Sequence, residues 1–149
     1  MSQQNPLLTT TYLMVKVSRA QRALVSAALV KVGLHIGQER LLMQLGEEDG
    51  LTQTQLADRL CIEPPTLTKM LSRLEKTQLL EKRKDSKDAR MCRIFLTDKG
   101  AAFQKPVTDL WQELEETILA NLTSEERMLY HRLLLQIYAN LESAKKLSP

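Results

Sequence analysis

The chain has 149 residues, 43% of them hydrophobic, and carries 21 Lys and Arg against 18 Asp and Glu. This is the size of one domain and too apolar for a disordered segment, while no apolar run nears the roughly 20 residues that a membrane span needs. The opening "MSQQNPLLTTTY" has no basic segment followed by an apolar one, and Cys61 and Cys92 are too few for a disulfide framework, so a cytoplasmic protein is expected.

In chain order, residues 7 to 32 predict a long helix, with Leu13, Val17, Ala20, Leu24 and Ala27 near helical spacing. "GLHIGQ" breaks it, and "ERLLMQL" predicts a short second helix that stops in "GEEDG". In "LTQTQLADRL", Thr52 and Gln55 have capping-box spacing, so each side chain can satisfy the other's free backbone N–H. "PPTLTKMLSRLEK" starts on two prolines, which a first helical turn tolerates.

Helices over 53–60 and 64–76, joined by "CIE", have the layout of a helix-turn-helix. Ala57 is the small residue at the helix contact, Cys61 takes the turn position where glycine is commonest, and Leu56, Leu60, Ile62, Leu67 and Met70 tie the two together. Leu67, Met70, Leu71 and Leu74 are spaced to face the core. Pro65, Thr66, Thr68, Lys69, Ser72, Arg73 and Lys76 are left outside, and such hydroxyls and cations can reach base edges and phosphates in a major groove.

The next stretch, "EKRKDSKDARMCRIFLT", predicts two strands around a charged tip. Six basic residues surround Asp85 and Asp88, and Cys92, Ile94 and Leu96 then alternate with Arg93, Phe95 and Thr97. Residues 53 to 99 carry a net charge of +4 and the rest of the chain −1, so the basic excess sits in one third of the sequence, where a polyanion is the natural partner. A hairpin directly after a recognition helix is a wing. Asp88 is placed to hold the Arg90 guanidinium in one pose for a minor groove.

Thr97 predicts the N-cap of a helix running to about Asn121, kinked at Pro106, where proline removes a backbone donor. Thr123 and Glu126 repeat the capping-box spacing and open a last helix with Leu129, Leu133, Leu134, Ile137 and Leu141 on one side.

"PPTLTKMLSRLEKTQLLEKR", "DAR" at 88–90 and "RIFLTDKG" at 93–100 resemble the MarR family of bacterial winged-helix regulators, the D-x-R wing and the L-T-x-x-G strand end most specifically. Gln78 departs from the glycine common before the wing. The resemblance, which spans essentially the whole chain, implies one domain over 1–149 that is mostly α with a small β-hairpin wing. A winged helix-turn-helix lobe would occupy 37–100, with dimerisation helices at 7–32 and 101–146. It also implies a sequence-specific regulator of double-stranded DNA, a homodimeric repressor on a palindromic operator released by a small ligand. The recognition face would be that of the helix-turn-helix, and the wing would use Arg83, Lys84, Lys87, Asp88 and Arg90. Small aromatic acids or phenols bind in a cleft of many such proteins, and Tyr12, Lys16, Arg19, His35, Arg40 and Trp111 could supply its walls and a cation.

Other classes fit poorly. His35 and His131 lie far apart, no phosphate loop or nucleophile motif occurs, and Glu115 and Glu116 point to different parts of a helix surface, so catalysis is not expected. The scarce His and Cys lack metal-ligand spacing, and neither metal nor cofactor is expected. A purely helical interaction module leaves the wing unexplained. Redox sensing through Cys61 is the alternative regulatory reading, against the expectation that Cys61 is a small packing residue.

Overall fold

The computed structural model describes residues 9–147. Its elements run α1 (Thr10–Lys31), α2 (Gln38–Glu47), β1 (Leu51–Thr52), α3 (Gln53–Leu60), α4 (Pro64–Lys76), β2 (Leu80–Lys84), β3 (Cys92–Leu96), α5 (Asp98–Ala101), α6 (Gln104–Ile118) and α7 (Ser124–Leu147). The expected mostly helical architecture with a small hairpin is present. The part of the first helix placed at residues 7 and 8 lies outside the described residues. Among the described residues no helix is long and apolar enough to cross a membrane.

The chain divides into two compact units, 1–112 and 113–149. In the first, leucines fill the interior: Leu29, Leu34, Leu41, Leu42, Leu45, Leu56, Leu67, Leu71 and Leu74, with Ile94 from the sheet, are all sealed from solvent. The helix-turn-helix is built as its sequence predicts. Thr52 and Gln55 form the reciprocal capping box that starts α3, and Pro64 and Pro65 open α4. The turn between them passes through Cys61 at φ 51°, a left-handed conformation that costs an L-residue roughly 1–2 kcal/mol and explains why glycine is common there. The residue is exposed rather than packed inside, so the expectation of a small packing cysteine is corrected: it sits in the left-handed turn at the surface, with its Sγ 3.7 Å from Asp58 O.

The sheet has a third strand that the sequence did not predict. β1 is two residues long, too short to show alternation, yet it pairs antiparallel with β3, Leu51 opposite Ile94, giving the order β1-β3-β2. β2 and β3 pair from Leu80 opposite Leu96 to Lys84 opposite Cys92. Only Ile94 of the alternating set is fully buried; Leu96 is half-buried, and Cys92, at the tip end, is exposed.

The L-T-x-x-G strand end has a mechanical meaning here. The Thr97 hydroxyl donates to Gln78 O at 2.6 Å and accepts from Gly100 N–H at 3.0 Å, while Thr97 N–H donates to Leu79 O at 3.2 Å. A Cβ on Gly100 would lie 1.9 Å from that same Leu79 oxygen, so only glycine lets α5 press against the backbone entering the wing. Gln78 itself sits at φ 61°, the conformation a glycine would adopt without strain.

The single kinked helix expected from Thr97 onward is instead two helices. α5 ends at Ala101 and α6 begins at Gln104, so Pro106 is the third residue of a new helix. There its missing N–H is one of those with no intrahelical partner anyway. A continuous helix would drive the proline ring against the carbonyl four residues back, that of Ala102, and the chain breaks at that point. Gln104 then ties α6 to α2 by donating to Leu42 O at 2.7 Å.

The second unit holds the end of α6 and α7. α6 stops at Ile118, and Asn121 takes a left-handed turn at φ 66°. Thr123 and Glu126 make the predicted capping box, with bonds of 3.2 and 2.8 Å. Arg127 grips Glu116 with both guanidinium ends. Leu129, Leu133, Leu134 and Leu141 of α7 are all exposed.

Candidate nucleic-acid interface

The second helix of the helix-turn-helix divides as its spacing predicts. Leu67, Leu71 and Leu74 are buried and Met70 is half-buried. Pro65, Thr66, Thr68, Lys69, Arg73 and Lys76 are exposed, and Ser72 is half-buried at the edge of that face. The face carries three cations and, in Glu75, one acid, which is turned toward the wing: Lys82 pairs with it at 3.2 Å.

One participant was not read from the sequence. The Gln53 amide donates to the Thr68 hydroxyl, which in turn donates to Pro64 O at 2.9 Å. The first residue of α3 therefore fixes the rotamer of a recognition-face threonine. Nothing in the local pattern singles out Gln53, because the contact spans 15 residues and depends on how the two helices cross.

The wing sorts its basic residues into two groups. Arg83 bonds Glu81 with its guanidinium and stacks on Phe95, 4.6 Å from the ring centroid. Arg93 bonds Asp85 and donates to Gly50 O at 2.9 Å, pinning the hairpin to β1. These arginines, with Lys82, are spent within the fold. Among the described residues Lys84, Lys87 and Arg90 have no acid within ion-pair distance, and all three are exposed at the tip.

The two acids among these cations shape the tip. Asp85 caps the turn, its Oδ1 accepting from Lys87 N–H at 2.8 Å and Asp88 N–H at 3.0 Å while its Oδ2 takes the Arg93 guanidinium. The Arg93 bond, then the two backbone bonds, hold this carboxyl down at about 2, below the usual carboxylate range. Asp88 Oδ1 accepts from the backbone N–H of Arg90 at 2.9 Å. The expected grip on the Arg90 guanidinium is thus replaced by a grip on its main chain. A two-residue separation suits an Asx turn, in which a short side chain reaches the N–H two positions on. Asp85 N–H to Met91 O and Met91 N–H to Asp88 O, both 2.9 Å, close the loop.

The six effector-cleft candidates come from α1, α2, α6 and the segment before α2. Tyr12, Lys16 and Arg19 lie exposed along α1, Trp111 is exposed on α6, and Arg40 reaches back weakly to Leu60 O at 3.5 Å. His35 lines a hollow of about 480 Å³, beside the C-terminal end of α4.

Comparison with known proteins places this geometry in context. The sequence profile of the MarR family matches residues 34–91. The transcriptional regulator FarR of Neisseria gonorrhoeae is 33% identical over 109 residues, which cover 72% of this chain and 73% of that one. The transcriptional repressor Rv2887 of Mycobacterium tuberculosis is 27% identical over 123 residues, covering 83% and 88%. Among solved structures, the S. aureus MepR–DNA complex superposes with a TM-score of 0.80 at 27% identity, covering 89% of this chain and 98% of that one.

Proposed function

Because the chain belongs to the MarR family of DNA-binding transcriptional regulators, and so is not an enzyme, we propose that it acts as a homodimeric repressor that binds a palindromic operator and is released by a small ligand. The observation that carries the DNA part is the wing tip. Among the described residues Lys84, Lys87 and Arg90 have no ion-pair partner, at a tip tied together by its own acids, next to a helix whose outer face is hydroxyl and cation. In this reading Pro65, Thr66, Thr68, Lys69, Ser72, Arg73 and Lys76 meet a major groove. Arg90 enters the adjoining minor groove, and Lys84 and Lys87 lie near phosphates. Arg83 serves mainly as a strut for the strand.

The dimer rests on exposed apolar surface. Leu13, Val17 and Leu24 of α1 and Leu129, Leu133, Leu134 and Leu141 of α7 are each 40% or more exposed in the single chain. Covering such surface contributes roughly 25 cal/mol per Å². A second copy related by a two-fold axis would place two recognition helices about one DNA turn apart. Repression is supported by the name of one relative. Selecting bound fragments from the source genome, followed by light scattering of the protein–DNA complex, tests both parts. A monomer at micromolar concentration, or fragments without two-fold symmetry, refutes the proposal.

A second reading, release by oxidation, gains support from the exposure of Cys61 beside the recognition helix. Peroxide-induced loss of operator binding that disappears in Cys61→Ser would favour it over a small ligand. A Cys61→Ser protein that keeps its response to peroxide excludes it.

A further inference from the structure

The hollow beside α4 has a lining that the DNA-binding reading does not use. Arg73 and Lys76 reach it from the recognition helix, Lys99 from α5, His35 from the segment between α1 and α2, and Gln38 from the start of α2, with Leu79 and Phe103 as apolar wall. None of its described lining groups is acidic. Among the described residues these three cations have no ion-pair partner.

Two details make this more than a cluster of surface charge. The C-terminal end of a helix normally repels anions, because its last carbonyls carry negative partial charge. Here most of those carbonyls are already occupied. Arg73 O accepts from Thr77 N–H and hydroxyl, Leu74 O from Leu79 N–H and the same hydroxyl, and Thr77 O from Lys99 Nζ at 2.9 Å. Gln38 is the second detail. Its side chain is 8% exposed, and its Oε1 is taken by His35 N–H at 2.9 Å, which fixes the amide orientation. The Nε2 end, with two N–H groups, has no protein acceptor among the described residues and belongs to a residue that lines the hollow. That end is open to the hollow and free to donate to an occupant.

We propose that this hollow binds a small polyanion, a molecule bearing two or more carboxylate or phosphoryl groups, held by Arg73, Lys76 and Lys99 with the Gln38 amide as an additional neutral donor. Three cations exceed what one carboxylate can neutralise, and this selects a multiply charged ligand over a simple aromatic acid. Arg73 and Lys76 also belong to the face assigned to DNA, so an occupant neutralises two of the cations that the phosphate backbone would otherwise meet. This second step rests on the recognition-helix reading; ligand binding itself does not.

The test uses the full-length protein and three probes at constant ionic strength: citrate, inorganic pyrophosphate and benzoate. Calorimetry should show saturable binding of citrate or pyrophosphate and none of benzoate. Lys99→Gln and Gln38→Leu, both away from the DNA face, should each weaken that binding about tenfold, the effect of one hydrogen bond to a charged group. If Gln38→Leu fails to fold, Lys99→Gln decides alone. Absence of saturable polyanion binding, equal affinity for benzoate, or unchanged affinity in the variants overturns the site. A separate gel shift reads the second step. Loss of operator binding as citrate or pyrophosphate saturates the protein supports it, and binding without release overturns it. Failure of the wild-type protein to bind DNA at all faults the recognition-helix reading and leaves the calorimetry to judge the hollow.

Discussion

Replacing Asp88 by alanine removes a negative charge from a surface that meets DNA, yet the structure predicts weaker binding. Asp88 Oδ1 accepts from Arg90 N–H at 2.9 Å, and that bond sets the main-chain direction from which the Arg90 side chain leaves. Losing it forfeits about 1 kcal/mol of hydrogen bond. It also frees one residue's backbone, a further 1 kcal/mol or so of ordering cost shifted onto binding. Against this, one charge about 8 Å from a phosphate in water interacts by roughly 0.5 kcal/mol before screening and about 0.2 after it. With half the conformational cost recovered by the other bonds across the tip, the net loss is about 1.3 kcal/mol, or about ninefold in affinity. Asp88→Asn separates the two effects, because its amide oxygen can still accept from Arg90 N–H while the charge is gone. Anisotropy titrations of a labelled operator should rank Asp88→Asn at or above wild type and Asp88→Ala below it. An alanine variant that binds as tightly as the asparagine variant refutes the turn argument and leaves only charge.

Lys84→Ala or Lys87→Ala should weaken binding to every sequence and lower the salt slope by about one unit each, whereas Arg90→Ala should cost about 1–3 kcal/mol and reduce the preference for A·T-rich flanks. The salt dependence of a gel shift distinguishes them, and equal behaviour of all three would deny Arg90 a groove. Gly100→Ala drives a methyl to 1.9 Å from the Leu79 carbonyl. It should destabilise the fold by about 2–3 kcal/mol in a urea melt, and a change below about 0.5 kcal/mol would show that α5 does not press there. Glu39 is buried, with Oε2 lacking any partner among the described residues, and burial pushes its carboxyl up despite backbone bonds at the start of α2. A raised acid stabilises the fold while protonated and loses that contribution as pH climbs through the folded-state value. Glu39→Gln should therefore raise the melting temperature more at pH 8 than at pH 5, and an equal shift at both would place the charge elsewhere.

Local features were the legible part of this sequence. Thr52 with Gln55, Thr123 with Glu126, and the apolar spacing of Leu67, Leu71 and Leu74 act within one or two helical turns, and the structure follows them. Pro106 misled because its effect depends on whether a helix breaks four residues earlier or bends around it, and both satisfy the same local rule. β1 escaped notice because two residues cannot display a period. Which wing cations stay free was also beyond reach, since it is decided by Glu75, Glu81 and Asp85 through partners in neighbouring strands and helices. The hollow beside α4 draws its lining from positions 33 to 103, and no sequence pattern announces a meeting of that span.

The closure of the wing tip constrains how its sequence can drift. Every hydrogen bond between Asp85 and Met91 counts positions: two from Asp85 to Lys87, three to Asp88, six to Met91, and from Asp88 two to Arg90 and three to Met91. Adding or deleting one residue in this interval would break all of that numbering together. Below the tip, β2 and β3 pair in a regular antiparallel ladder from Leu80 opposite Leu96 to Lys84 opposite Cys92. Length can change there by two residues at a time without turning a buried face outward. The wing is thus free to grow longer or shorter as a stem while its tip stays a fixed cassette, able to carry the same arginine to grooves at different depths.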